Sequence, residues 1–144
     1  MILGITIFTI VANLYLGIAV LLRNTKSATN RLFALYALFI ALWALANYFA
    51  LIPGLSAEIS LLRIRITMVV AAFLCPIIYL LAYTFPDNKY KIPIGATITF
   101  WIFIIATAII SVTPLTFSGV TIVNGFPSPI PGPGILVYAL NALV

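Results

Sequence analysis

The chain has 144 residues, of which 65% are hydrophobic and only 6% are charged, with a net charge of +5 and a mean hydropathy of +1.28. So few charged side chains cannot form the polar shell of a water-soluble core, which excludes an ordinary soluble domain and predicts that a lipid bilayer covers the apolar surface. No basic run is interleaved with aromatic residues, so we expect no nucleic-acid partner.

Hydrophobic segments recur along the chain at lengths typical of transmembrane helices, since a hydrocarbon layer of ~30 Å requires ~20 helical residues. We predict helices at about 2–22, 32–52, 59–85, 92–112 and 134–144. The last segment would reach only about half-way across a bilayer, so we expect the chain to be a fragment that ends within its fifth helix. The fold class predicted is an all-α membrane protein, an up-and-down transmembrane helix bundle with a short external β-hairpin-like loop.

The connections between these helices contain capping residues. Thr29 or Asn30 can cap the second helix, and Ser56 is well placed to cap the third. Because the links are short, consecutive helices are expected to pack as antiparallel neighbours.

Basic residues are unevenly distributed between the two ends of the predicted bundle. Arg63 and Arg65 lie at one end, near the start of the third helix. Five basic residues lie in the connections at the opposite end: Arg23, Lys26, Arg31, Lys89 and Lys91. The positive-inside rule therefore predicts a multi-pass protein of the cytoplasmic membrane with its N-terminus outside. The first helix is expected to be a retained anchor, because its charges follow the apolar run instead of preceding it.

Polar side chains within the apolar segments are candidate ligand or signal-coupling residues. Asn13 lies near the middle of the first helix, where its amide should face another helix or a wet cavity. Asn47 and Tyr48 lie near the outer end of the second helix, where either an interfacial or a ligand-contacting role fits.

Arg63 and Arg65 are the sharpest local candidates. At 100° per residue the two side chains are about 200° apart, so they point to nearly opposite faces of the third helix and cannot both line one cavity. Snorkelling to the interface is one interpretation. Contact of one arginine with an anion is the other.

Pro76 lies within the third predicted helix and removes one backbone hydrogen bond, so we expect a kink there. Such a kink fits either a moving part or a rigid bundle. The neighbouring Cys75 is the only cysteine and is expected to behave as a small hydrophobe.

Residues 113–133 depart from the helical pattern. Short β-branched runs surround Ser118-Gly119 and precede Asn124-Gly125, and both dipeptides are plausible hairpin turns. A proline-rich segment follows that cannot be helical. By the predicted topology this loop is external, where it would serve as a lid over a pocket or as a linker packed on the helix ends.

Catalytic chemistry has little support in these residues. There is no histidine, and the two carboxylates, Glu58 and Asp87, fall near opposite faces of the membrane. No phosphate-binding glycine motif is present. We therefore expect no enzyme activity, cofactor or metal site in this chain.

The segments 21–34 and 41–49 resemble the N-terminal seven-transmembrane region of bacterial and archaeal sensor histidine kinases. Residues 63–85, the proline- and glycine-rich external loop and Gly132-Pro133-Gly134 are similar to the same region. The resemblance covers nearly all of the chain, and its most specific part is 30–49.

This resemblance implies a seven-helix sensor of a two-component system, which relays an external or membrane signal to a downstream cytoplasmic signalling domain. It also implies a homodimer and an unknown small ligand. Asn13, Asn47, Tyr48, Arg63, Arg65 and Pro76 are the residues that could bind the ligand or couple the signal. The alternative functions are a fragment of a multi-pass transporter or permease, and a small membrane scaffold without a ligand.

Overall fold

A computed structural model of the protein describes residues 2–85, 94–136 and 139. Within this part, the chain forms five helices followed by a two-stranded antiparallel sheet. The elements are α1 (Ile2–Arg23), α2 (Ala28–Ala50), α3 (Ala57–Ala71), α4 (Leu74–Thr84), α5 (Ile94–Ser111), β1 (Phe117–Val123) and β2 (Phe126–Pro131).

The start of α2 differs from the predicted start at residue 32. Ser27 is the N-cap, with its side-chain oxygen accepting a hydrogen bond from the Asn30 backbone N–H at 3.2 Å. The Asn30 side chain reaches back instead, and its Nδ2 donates to the Val20 carbonyl at 2.9 Å. The helix begins earlier because the Ser27 side chain already pairs with a free N–H of its first turn. The predicted cap at Thr29 or Asn30 is therefore wrong, and both residues lie inside the helix.

Helices α1 and α2 approach closely where their side chains are small. Gly17 is buried, and a Cβ atom added to it would lie 3.1 Å from the Cβ of Ala37 and 3.5 Å from the Cα of Ala34. Further along α1, the Val20 carbonyl meets Asn30. Positions in α2 fall as positions in α1 rise, so the two helices run antiparallel with a close contact between small residues.

The third predicted helix is interrupted. Ser56 caps α3 as predicted, since its side chain accepts from the Ile59 N–H at 3.4 Å. The helix ends at Ala71, and α4 resumes at Leu74, two residues before Pro76. The interruption lies where the missing N–H of Pro76 would have donated to the carbonyl four residues earlier, at the place where the sequence predicts a kink.

Aromatic pairs connect this interrupted passage to its neighbours. Phe73, in the interruption, stacks on Phe39 of α2 with ring centroids 5.1 Å apart. Tyr79 of α4 lies 5.6 Å from Phe100 of α5. The passage α3–α4 thus contacts α2 on one side and α5 on the other.

Small hydroxyl side chains supply much of the polar content of the interior. Four of them donate to the carbonyl four residues earlier in their own helix, at 2.7–3.0 Å: Thr67, Thr84, Thr107 and Ser111. This internal pairing lets a hydroxyl be buried without a partner on another helix.

The hairpin turn is formed by Asn124 and Gly125, which have φ values of 52° and 82°. Two successive residues with positive φ define a type I′ turn, whose twist matches antiparallel strands. Ser118 and Gly119 lie within β1, at a register irregularity that begins after Phe117. The turn predicted at Asn124-Gly125 is therefore confirmed, whereas the turn predicted at Ser118-Gly119 is wrong, because that dipeptide lies at a bulge within β1.

Three stretches of the described chain are helical, long and apolar enough to cross a membrane, namely Ile2–Arg23, Ala28–Ala50 and Ala57–Thr84. These spans suggest a membrane location, and the architecture is compatible with a helical membrane bundle that has a hairpin. The helix predicted at 92–112 corresponds to α5. The helix predicted at 134–144 falls largely outside the described residues.

Candidate functional site

The hairpin is built with prolines at alternating positions of β2. Val123 pairs with Phe126 beside the two-residue turn, and this is a hydrogen-bonded pair in such a hairpin. Pro127 and Pro129 therefore occupy positions whose backbone nitrogens point away from β1. The proline-rich segment can form a strand because the N–H groups that prolines lack are those on its outer edge, away from β1. The absence of these donors also disfavours pairing of that edge with another strand.

The base of the hairpin is closed by backbone contacts with the segment before β1. Gly132 N–H donates to the Thr116 carbonyl at 2.8 Å, and Gly134 N–H donates to the Leu115 carbonyl at 2.7 Å. A Cβ atom at Gly132 would collide with the Leu115 carbonyl. Glycine is required here because two backbone segments touch.

Arg65 joins the hairpin to α3. Its Nη2 donates to the Phe117 carbonyl at 2.8 Å, and the side chain is half-buried. Its Nε is buried and has no hydrogen-bond partner among the described residues. A charged donor on a backbone carbonyl makes a strong hydrogen bond in surroundings of low polarity. Arg65 therefore links the first residue of β1 to α3.

Arg63 points elsewhere, as the helical spacing predicts. Its Nη1 donates to the Phe49 carbonyl at 3.1 Å, and its guanidinium lies 6.0 Å from the centre of the Phe49 ring. A small cavity of about 240 Å³ is lined by Ala46, Phe49, Arg63 and Ile66. Arg63 thus satisfies a carbonyl in the last turn of α2 and combines a hydrogen bond with a cation–π contact.

Asn47 and Tyr48 lie in the same last turn of α2 and are half-buried. Their carbonyls accept from the Leu51 N–H at 3.2 Å and 3.3 Å, and the Tyr48 ring lies 5.7 Å from the Phe49 ring. Asn47 and Tyr48 thus directly precede Phe49, which Arg63 contacts, whereas Arg65 contacts the first residue of β1.

Asn13 is separate from these residues. Its Nδ2 donates to the Thr9 carbonyl at 2.8 Å, within α1, and the residue lines an open groove between α1 and α2. The sequence leads us to expect that the amide faces another helix or a wet cavity. The structure places the residue at the groove and the amide donor on a carbonyl of its own helix, because a carbonyl one turn earlier is within reach of the asparagine side chain.

At the other end of the bundle, the polar turn between α1 and α2 faces the end of α4. Arg31 Nε donates to the Thr25 carbonyl at 2.6 Å, and Asn30 Nδ2 also contacts the Asn24 carbonyl at 3.3 Å. A cavity of about 320 Å³ separates this turn from α4; its lining includes Asn30, Phe33 and Phe85. The passage α3–α4 therefore has the hairpin at one end and the basic turn at the other.

Within the described residues no three histidine, cysteine or carboxylate side chains come close enough to hold a metal ion. The close contacts that sequence reasoning missed are those at Gly17 and Gly132. A signal for Gly17 exists in the small residues Ala34, Ala37 and Ala41 on the partner helix, whereas the role of Gly132 depends on a fold-back that composition does not reveal.

No family model, curated protein or solved structure matches this chain.

Proposed function

We propose that this chain is the membrane-embedded sensory module of a histidine kinase-type receptor, which relays a signal from the hairpin to the opposite face of the membrane. The observation that carries this proposal is the hydrogen bond from Arg65 to the Phe117 carbonyl. It attaches the hairpin to α3, and α3 leads through the interruption at Ala72–Phe73 to α4 and the basic turn. A displacement of the hairpin would therefore be transmitted to the far end of one continuous passage.

The proposed orientation places the N-terminus and the hairpin outside the cytoplasmic membrane, in an up-and-down transmembrane bundle. The end with Arg23, Lys26 and Arg31 would face the cytoplasm under the positive-inside rule. Arg63 and Arg65 at the opposite end both donate to backbone carbonyls, so each has a structural role there. We therefore give these two residues less weight when the basic residues at the two ends are compared.

The ligand of the proposed sensor is a small molecule or a membrane signal acting at the hairpin end. The candidate ligand contacts are Asn47 and Tyr48 in the last turn of α2, together with Arg63, which donates to a carbonyl of that turn. Arg65 is the coupling residue beside β1. Pro76 would supply the hinge and Asn13 a polar position in α1. Output would come from a downstream cytoplasmic signalling domain, in a homodimer, while this chain itself has no enzyme activity and needs no cofactor.

A fragment of a multi-pass transporter is the alternative, and the interruption between α3 and α4 is the observation that favours it. Discontinuous helices near the middle of the membrane form substrate sites in secondary transporters. The interruption here is filled by Phe73 stacked on Phe39 at 5.1 Å, which supports a packed hinge more than a polar ion site.

The coupling role of Arg65 can be tested by Arg65→Met in the complete protein. We expect the amides of β1 and β2 to exchange with solvent about tenfold faster or more, because a hydrogen bond from a charged group contributes ~1.5–3 kcal/mol. The signalling response should change while the amount of protein in the membrane stays the same. Hydrogen exchange with mass spectrometry and a response assay measure the two effects.

Arg23→Met is the matched control, because it removes the same charge from the opposite end. Faster hairpin exchange with an unchanged response would show that Arg65 is only structural and would contradict the coupling role. Sequencing the gene past the codon for Val144 tests the receptor itself. Two further spans and a soluble phosphotransfer domain support it, a long series of spans favours the transporter, and an immediate stop contradicts a receptor with its own output domain.

A further inference from the structure

An open groove of about 460 Å³ runs along the face of the α1–α2 pair. Its walls include Ile18, Leu35 and Leu38, which are 57%, 38% and 42% exposed. The groove is open between the two helices because Gly17 has no side chain there and Ala34 has only a methyl group. The close packing of small residues that joins the helices therefore also leaves an apolar channel on their surface.

The groove runs along the helices, and its length is comparable to the thickness of one leaflet of the hydrocarbon core. On α1 it extends from Asn13 to Leu21, which corresponds to about 12 Å of helix at ~1.5 Å per residue. One leaflet of the hydrocarbon core is about 15 Å thick, half of the ~30 Å layer. Because α1 spans the membrane, the groove runs from the interface at the polar turn toward the middle of the bilayer.

Arg31 lines the interfacial mouth of the groove. Its Nε donates to the Thr25 carbonyl at 2.6 Å, which holds the guanidinium over the turn. Within the described part of the chain, its two terminal amino groups have no hydrogen-bond partner, and the residue is exposed. A guanidinium with two free amino groups can donate to two oxygens of one phosphate.

Basic residues predominate in the connections assigned to this end of the bundle. Arg23 and Lys26 lie in the same turn as Arg31, and the connection that follows α4 adds Lys89 and Lys91 against one carboxylate, Asp87. Basic pockets between transmembrane helices at an interface are complementary to anionic lipid headgroups. A neutral lipid would fill the apolar channel equally well but would gain less from the mouth.

We propose that the α1–α2 groove binds one anionic phospholipid, with its phosphate on Arg31 and an acyl chain along Ile18, Leu35 and Leu38. The site requires that the chain be embedded in a membrane, and it is independent of the sensory role proposed above. A bound lipid would bridge the two helices beside their polar turn, at the end of the bundle where α4 also arrives.

Native mass spectrometry of the full chain, released from detergent micelles after titration with dioleoylphosphatidylglycerol or dioleoylphosphatidylcholine, tests the proposal. We expect one bound lipid per chain. The affinity for the glycerol lipid should be about fivefold higher than that for the choline lipid, because one basic residue near an anionic headgroup contributes about that factor. Arg31→Gln should reduce the affinity for the glycerol lipid about fivefold. It should weaken the choline lipid by less, because the ammonium of that headgroup already offsets the charge of its phosphate. Arg23→Gln, which removes the same charge without lining the groove, should have a much smaller effect.

Ile18→Trp tests the acyl part of the site. The larger ring should fill the channel and weaken both lipids, whereas Ile7→Trp, at an exposed position of α1 outside the groove, should weaken neither. Helical circular dichroism establishes that each variant is folded. Equal affinity of the wild-type chain for the two lipids, or equal losses in the Arg31 and Arg23 variants, would overturn the proposal.

Two further results would also overturn it. Competition by glycerol phosphate as effective as that of the lipid would indicate a site for free phosphate. A disulfide-linked dimer of the Leu35→Cys variant that binds no lipid would indicate that a second copy covers the groove.

Discussion

Arg65 and Arg63 show how a charged residue is accommodated in a chain with few carboxylates. Each guanidinium donates to a backbone carbonyl, that of Phe117 or Phe49, at 2.8 Å and 3.1 Å. The sequence predicts correctly that the two side chains diverge, because their angular separation is a property of one helix. It could not predict their partners, since Phe117 lies 52 residues from Arg65 and the pairing depends on the folded hairpin.

Gly17 is the residue for which the structure makes the clearest stability prediction. Gly17→Leu should lower the free energy of unfolding by about 1–3 kcal/mol, because the side chain must displace α2 where an added Cβ already lies 3.1 Å from Ala37. The midpoint of thermal unfolding in detergent measures this change. Gly4→Leu is the control, because nothing lies within 4 Å of a Cβ atom there. Equal shifts in the two variants would show that α1 and α2 do not pack through Gly17.

At the level of the element, the interruption between α3 and α4 has two causes, one local in the sequence and one in the tertiary packing. Pro76 removes a backbone donor and predicts the position of the interruption from sequence alone. The stacking of Phe73 on Phe39 at 5.1 Å holds the interruption against α2, and this contact follows only from the packing of two helices. The hairpin is similar, because the local geometry of Asn124-Gly125 forms the turn whereas Arg65 sets its place on the bundle.

Pro76→Ala should join α3 and α4 into one straighter helix, because the alanine N–H restores the missing hydrogen bond. Spin labels at Glu58→Cys and Tyr83→Cys, in a Cys75→Ala background, should then approach the ~38 Å separation of an unbroken helix and show a narrower distance distribution. The same labels in the background with Pro76 retained provide the reference. An unchanged distribution would mean that the packing of Phe73, instead of the proline, maintains the interruption.

At the scale of the whole molecule, the contacts of the described residues align three apolar passages side by side. α2 contacts both α1 and the passage α3–α4, and the hairpin contacts α3. The polar turn around Arg31 and the hairpin therefore lie at opposite ends, connected by helices of membrane-spanning length. The two ends therefore differ. At the hairpin end, two arginines donate to backbone carbonyls, whereas the basic end has an open apolar groove.

The proposed topology predicts opposite accessibility of the two ends in intact cells. In a Cys75→Ala background, Val123→Cys beside the hairpin turn should react with a membrane-impermeant maleimide from outside. Lys26→Cys should react only after the membrane is permeabilised, because the basic turn is proposed to face the cytoplasm. Labelling in the reverse order would place the N-terminus inside and contradict the orientation.

The sequence by itself indicates an apolar solvent and predicts the first four helical segments, the Ser56 cap, the position of the helix interruption and the divergence of the two arginines. These properties depend on composition or on residues within a few turns of one another, where helix geometry supplies the distances. Only the tertiary structure decides that Ser27 instead of Thr29 or Asn30 begins α2, that Asn124-Gly125 is the turn and that Gly17 lies against Ala37. It alone also joins Arg65 to Phe117, because contacts between distant residues depend on how complete elements pack and on which backbone groups remain to be satisfied.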